Sequence, residues 1–170
     1  MSGYRVFDLV GAVVRCRTCG GPALLDTPFE FYSARKGLPE GETRPAHRWN
    51  GWLVVEKHPS IVRWMAPEAG HSYTRLLGVA SCSRCHAHYA YDVSWPDDAH
   101  YRWDIRGHIL WAFNREHARV LQEFIGSKDR DPSRYPGYKK SLTKLPTEFI
   151  TAKVRDDIVK AISRTLETGE

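Results

Sequence analysis

"CRTCG" at residues 16–20 and "CSRCH" at residues 82–86 decide how this chain is read. They hold all four cysteines of a 170-residue sequence, as two Cys-x-x-Cys pairs with 62 residues between Cys19 and Cys82. A two-residue gap lets both sulfurs of a pair face one metal ion from a tight turn. The flanks support a turn. β-Branched residues precede Cys16 in "VGAVVRCRTCGGPALLD", and Gly-Gly-Pro follows Cys19. Gly20 stands where such a turn wants a positive φ. His86 holds the equivalent place in the second pair, and histidine tolerates that geometry better than most side chains.

Three explanations compete for these thiols. The sequence favours one zinc ion shared by Cys16, Cys19, Cys82 and Cys85. Two half-sites completed by histidines or a partner chain are an alternative, as is a redox dithiol or no metal at all, although neither pair opens a convincing helix. The long spacing is no obstacle. Loop-closure entropy grows by only about 0.6 kcal/mol per doubling of length, whereas structural zinc binding is worth about 10–16 kcal/mol in small peptides. On "CRTCGG" and "CSRCHAH" the chain resembles bacterial zinc-ribbon proteins in which a β-rich insertion divides the two knuckles. The resemblance is confined to those turns. It implies a structural metal on the four cysteines and no particular activity.

The rest of the chain reads as α+β. Residues 5–15 are expected to run as a strand into the first knuckle, and 23–33 to leave it with a break at Pro28. Residues 34–48 form a Gly/Pro-rich loop, and 52–66 form two short strands turning near His58 and Pro59. After a turn at 66–72, residues 73–81 lead into the second knuckle. Tyr89, Tyr91, Val93 and Trp95 alternate as a half-buried strand does. From about 104 to 125 a helix is expected, on the 3–4 spacing of Leu110, Phe113, His117, Val120, Leu121 and Phe124, with Gly126 as its stop. Residues 126–146 read as a basic linker. Residues 147–170 hold a final helix, with Val154, Ile158, Ile162 and Leu166 four apart. The domain reading is therefore a zinc-ribbon body with a packed helix over 1–125, then linker, then terminal helix.

Composition is that of an ordinary globular chain, 42% hydrophobic and 26% charged, with six Trp and eight Tyr. No stretch approaches the roughly 20 apolar residues of a membrane span. The N-terminus lacks the pattern of a secretory leader. A cytoplasmic protein with no membrane partner is expected, in which structural disulfides are disfavoured.

Motifs for nucleotide binding, serine hydrolysis, zinc proteolysis or base deamination are missing from the sequence. His86 and His88 flank the second knuckle but read as surface residues, since four thiolates already fill a zinc shell. In "NREH" (114–117), side chains on consecutive helical positions point in nearly all directions, and His117 falls on the apolar stripe. Trp111 reads as packing. Asp97 and Asp98 read as turn and capping residues.

Charge is uneven. The net charge is +5, yet residues 126–144 hold six basic residues against two acidic ones. That concentration favours phosphate contacts, with Lys128, Arg130, Arg134, Lys139, Lys140 and Lys144 as candidates and Arg115 and Arg119 next. Tyr135 and Tyr138 are candidates to stack on bases. The leading reading is a non-enzymatic, nucleic-acid-binding or regulatory accessory protein with one structural Zn²⁺. A zinc-stabilised protein-interaction module is the alternative, and an enzyme built from scattered His, Glu and Asp is a third reading.

Overall fold

The computed structural model describes residues 11–66 and 76–168. The chain is α+β, with antiparallel sheets first and helices at the C-terminal end. Strands β1 (Ala12–Arg15), β2 (Pro22–Asp26), β6 (Leu76–Cys82) and β7 (His88–Val93) form a four-stranded sheet in the order β1-β2-β6-β7. Strands β3 (Phe29–Ser33), β4 (Ala46–Trp49) and β5 (Trp52–Glu56) form a second sheet in the order β3-β5-β4. Strands β8 (Tyr101–Ile105) and β9 (His108–Ala112) make a separate hairpin. Helices α1 (Arg115–Gly126), α2 (Lys139–Thr143) and α3 (Ala152–Glu167) follow, with 3-10 turns at Pro132–Arg134 and Thr147–Ile150.

Two compact units emerge. Ala23–Ser94 form the bulk of one, and Val13–Pro22 with Trp95–Glu170 form the other. In the first, Leu25, Val79, Tyr91 and Val93 point inward from β2, β6 and β7. The alternation expected over 88–95 holds as far as Val93, where β7 ends before Trp95, with Tyr91 and Val93 buried and His88, Ala90 and Asp92 exposed. Gly78 is needed here for space: a Cβ would sit 2.7 Å from Leu25 Cδ1. On the second sheet, Trp64 sets its ring edge-on to Phe29, Phe31 and Trp49 at 5.1–5.7 Å. Residues 57–66 carry no second strand. After β5 the chain turns at His58, whose carbonyl accepts from the N–H of Ile61 and of Val62. The strand and turn expected over 5–10 and 67–75 lie outside the described residues.

The second unit has its own core. Trp103, Ile105 and Leu110 of the hairpin meet Leu121, Phe124 and Ile125 of α1 and Ile158 and Ile162 of α3. Trp103 Nε1 donates to Thr165 Oγ1 at 2.9 Å, and Gln122 Nε2 to Ser163 Oγ at 2.6 Å. Helix α3 is the one its four-residue spacing predicts, with Val154, Ile158 and Ile162 buried.

The helix expected from 104 begins only at Arg115. Residues 101–112 are instead a tight β-hairpin, turning on Arg106 (φ 55°) and Gly107 (φ 85°). Two consecutive positive φ angles give the turn whose twist matches the flanking strands. Asn114 caps α1, its side chain accepting from His117 N at 2.8 Å. The stretch read as a linker is folded rather than extended. Leu142 is buried in the core of this unit, and Tyr135 and Tyr138 pack against it.

Candidate metal centre

Each cysteine pair is built on the same backbone ring. In the first knuckle Cys16 N donates to Gly21 O at 2.8 Å and Gly20 N to Cys16 O at 2.9 Å. In the second, Cys82 N donates to Ala87 O at 2.9 Å and His86 N to Cys82 O at 3.0 Å. The residue four after the first cysteine is left-handed in both, Gly20 at φ 73° and His86 at φ 58°. That single torsion turns the chain back on itself, so the paired sulfurs share one side. In the first knuckle Thr18 N–H also points at Cys16 Sγ, 3.4 Å away, an interaction that favours thiolate over thiol.

The four sulfurs lie within 4.8 Å of one another. A tetrahedral zinc with bonds of about 2.3 Å separates its sulfurs by about 3.8 Å, so the donor set fits a four-thiolate centre in number, chemistry and size. Cys16 and Cys82 are buried; Cys19 and Cys85 are half-buried. Among the described residues, no other group of three or more His, Cys, Asp or Glu side chains gathers in this way. His86 and His88 are exposed. Replacing His86 by Asn, which also accepts a positive φ, and His88 by Gln should leave metal content unchanged by elemental analysis and move stability by no more than about 1 kcal/mol.

The "NREH" residues are consumed by the fold. Asn114 is the cap of α1, Arg115 donates to the Leu166 carbonyl, and Glu116 pairs with Arg119 at 3.7 Å. His117 is buried, its ring stacked between Phe113 and Tyr138 at 5.3 and 4.9 Å. Phe113 N donates to Nδ1 at 3.2 Å, and Nε2 lies 3.1 Å from Ser141 Oγ. With Nδ1 accepting, the ring carries its proton on Nε2 and gives it to Ser141, whose own hydroxyl donates to Tyr138 O at 2.8 Å. Burial pushes the His117 pKa down to about 4.

The basic candidates divide into two groups. Arg115 and Arg130 turn to backbone carbonyls, Leu166 O and Ile150 O. Arg119 and Arg134 sit in ion pairs, Arg134 with Asp129 at 2.6 Å. Lys128, Lys139, Lys140 and Lys144 are exposed and make no ion pair among the described residues. Asp97 pairs with Arg102 at 3.6 Å. Trp111 stacks on Trp95 at 4.9 Å with the rings 12° apart. Tyr138, stacked on His117, has one face of its ring occupied.

One polar cluster escaped the sequence reading. Asp26 accepts from Lys57 Nζ at 2.7 Å and from Thr27 N at 2.8 Å, and lies 3.0 Å from His58 Nε2. His88 meets the His58 ring edge-on at 5.2 Å. Burial opposes ionisation of Asp26, but the hydrogen bonds from Lys57 and His58 outweigh it and hold the carboxyl below its ordinary value. The pairing of β3 with β5, which sets Phe29 opposite Glu56 and Lys57 N on Pro28 O, brings these residues about thirty positions apart together, and no local pattern announces that.

No helix among the described residues is long and apolar enough to cross a membrane. Compared with protein-family models, with characterised proteins and with solved structures, the chain matches none.

Proposed function

We propose that Cys16, Cys19, Cys82 and Cys85 hold one structural Zn²⁺, and that the zinc-stabilised chain is a non-enzymatic accessory protein that binds nucleic acid through phosphate contacts. Four thiolates complete a tetrahedral shell and leave no position for water or substrate, so the metal's role is to fix the knuckles. Arg17 and Arg84, one inside each Cys-x-x-Cys, offset the net negative charge of such a centre.

The observation that carries the nucleic-acid reading is the state of the lysines. Lys139 and Lys140 open α2 and Lys144 ends it, all three exposed. The neighbouring arginines are committed to carbonyls and carboxylates; these ammonium groups are not. Because α2 is anchored by Leu142, the lysines sit on a folded element, so less ordering entropy opposes binding than on an extended linker.

Fluorescence anisotropy with duplex and single-stranded DNA and RNA, over a salt series, tests this. Each phosphate contact contributes a slope of about 0.9 in log K against log salt on duplex, and about 0.7 on single strands. Neutralising Lys139, Lys140 and Lys144 together should lower the slope by about two to three, with zinc content unchanged. No binding to any of these at about 50 mM salt, where phosphate contacts are strong, overturns the reading and favours a protein partner.

A further inference from the structure

Between the β8–β9 hairpin, α1 and the segment from α2 to Phe149 lies a cavity of about 240 Å³. Its walls are Ile109, Trp111, Phe113, Leu145 and Phe149, with His117, Ser141 and the exposed Lys144 also lining it. It is distinct from the four-cysteine centre, and the nucleic-acid reading makes no use of it beyond sharing Lys144. We propose that this cavity is a binding site for a small aromatic monocarboxylate, its rings between the apolar walls and its carboxylate on Lys144.

The size sets the ligand class. A dry apolar cavity of about 150 Å³ takes benzene, so 240 Å³ accommodates a fused bicyclic ring. The walls are suited to flat rings. Trp111 is held by stacking on Trp95 and by its edge contact with Phe113 at 4.7 Å, so it offers an oriented aromatic surface.

The polar groups set the charge and direction of the ligand. The Ser141 hydroxyl donates its one hydrogen bond to Tyr138 O and accepts one from His117 Nε2–H, leaving only a lone pair. His117 has both ring nitrogens engaged. Neither has a hydrogen to offer a carboxylate. Of the lining side chains Lys144 alone is charged, and its ammonium has hydrogens to give; the Trp111 indole N–H is a neutral donor. A carboxylate is therefore favoured on the Lys144 ammonium and gains no hydrogen bond from Ser141 or His117.

Calorimetric titration of the full chain, without nucleic acid, with 2-naphthoate, 2-naphthamide and 2-naphthylmethylamine tests this. The acid should bind saturably, and the amide about tenfold more weakly, the factor expected of a charge-assisted hydrogen bond. The amine should not bind. Lys144→Gln should erase the difference between acid and amide while leaving amide affinity as it was. Ile109→Trp, which fills the cavity, should abolish binding of both. Should that variant fail to fold, a shift of the Trp111 indole N–H resonance on adding 2-naphthoate to the wild type places the ligand instead. No saturable binding of the acid up to about 1 mM, equal affinity for acid and amide, or an unmoved Trp111 resonance overturns the proposal.

Discussion

Cys16→Ala and Cys82→Ala should each reduce bound zinc from about one ion per chain to nearly none at neutral pH. The two cysteines belong to different knuckles, yet their sulfurs share one cluster with those of Cys19 and Cys85. Loss of either leaves three thiolates and a gap. A four-thiolate centre worth about 10–16 kcal/mol in small peptides is comparable to the whole net stability of a typical domain, about 5–15 kcal/mol. Both variants should therefore melt far below the wild type, and a chelator should bring the wild-type melt down to theirs. Elemental analysis of purified protein decides the matter. Full occupancy after loss of Cys16 refutes a shared ion, and two zinc ions per chain would point to separate half-sites.

A second large effect resides in His117. In the unfolded chain its imidazole takes a proton near pH 6.5; in the folded protein burial lowers that to about 4. Between these values the unfolded state binds more protons, so stability rises with pH across the window. The contribution is fully present above about 6.5 and is lost progressively as pH falls to about 4. At about 1.4 kcal/mol per pKa unit the difference amounts to about 3 kcal/mol. Urea melts at several pH values, on wild type and His117→Gln, isolate the effect from the carboxylates that titrate in the same range. The glutamine variant has no titrating ring and should show a shallower loss of stability between pH 6.5 and 4. Equal slopes would refute the assignment. Tyr138, whose pKa is raised by burial and by Glu116, stays protonated throughout and does not confound the comparison.

The knuckles were legible because their chemistry is local. A metal-binding turn needs two cysteines three positions apart and a residue that accepts a positive φ, and Gly20 and His86 supply that residue. Helix α3 was legible because its buried face needs only Val154, Ile158 and Ile162. The hairpin at 101–112 was not. Leu110 and Phe113 lie at helical spacing from His117, so a stripe that belongs to α1 extends backward over a strand. Tyr101, Trp103 and Ile105 alternate, and Arg106-Gly107 separates them from the next strand; together these were the available signal. Asn50-Gly51 carried a similar one between β4 and β5, where both residues have positive φ. The segment from 127 to 145 was misleading for a different reason. Its composition is polar, but Tyr135, Tyr138 and Leu142 are enough to anchor it. Local sequence also does not separate Arg115 and Arg130, which are spent on carbonyls, from the exposed lysines, because the carbonyls they meet lie twenty or more residues away.

The backbone rings of the two knuckles constrain the chain in a way that concerns length rather than identity. Cys82 pairs with Ala23 across β2, and Ser81 with His88 across β7. Successive strand residues face opposite sides, so one residue gained or lost between 79 and 90 would turn the following side chains over. A slip of that kind would carry Cys85 away from the other sulfurs although every cysteine remained. Outward positions such as Ser83, Arg84 and Ala90 bear no such restriction, and the exposed loop from 34 to 45 can lengthen at an entropic cost that grows only slowly. Divergence in this chain should thus proceed by substitution around the centre and by insertion away from it, with the count of residues through each knuckle held fixed.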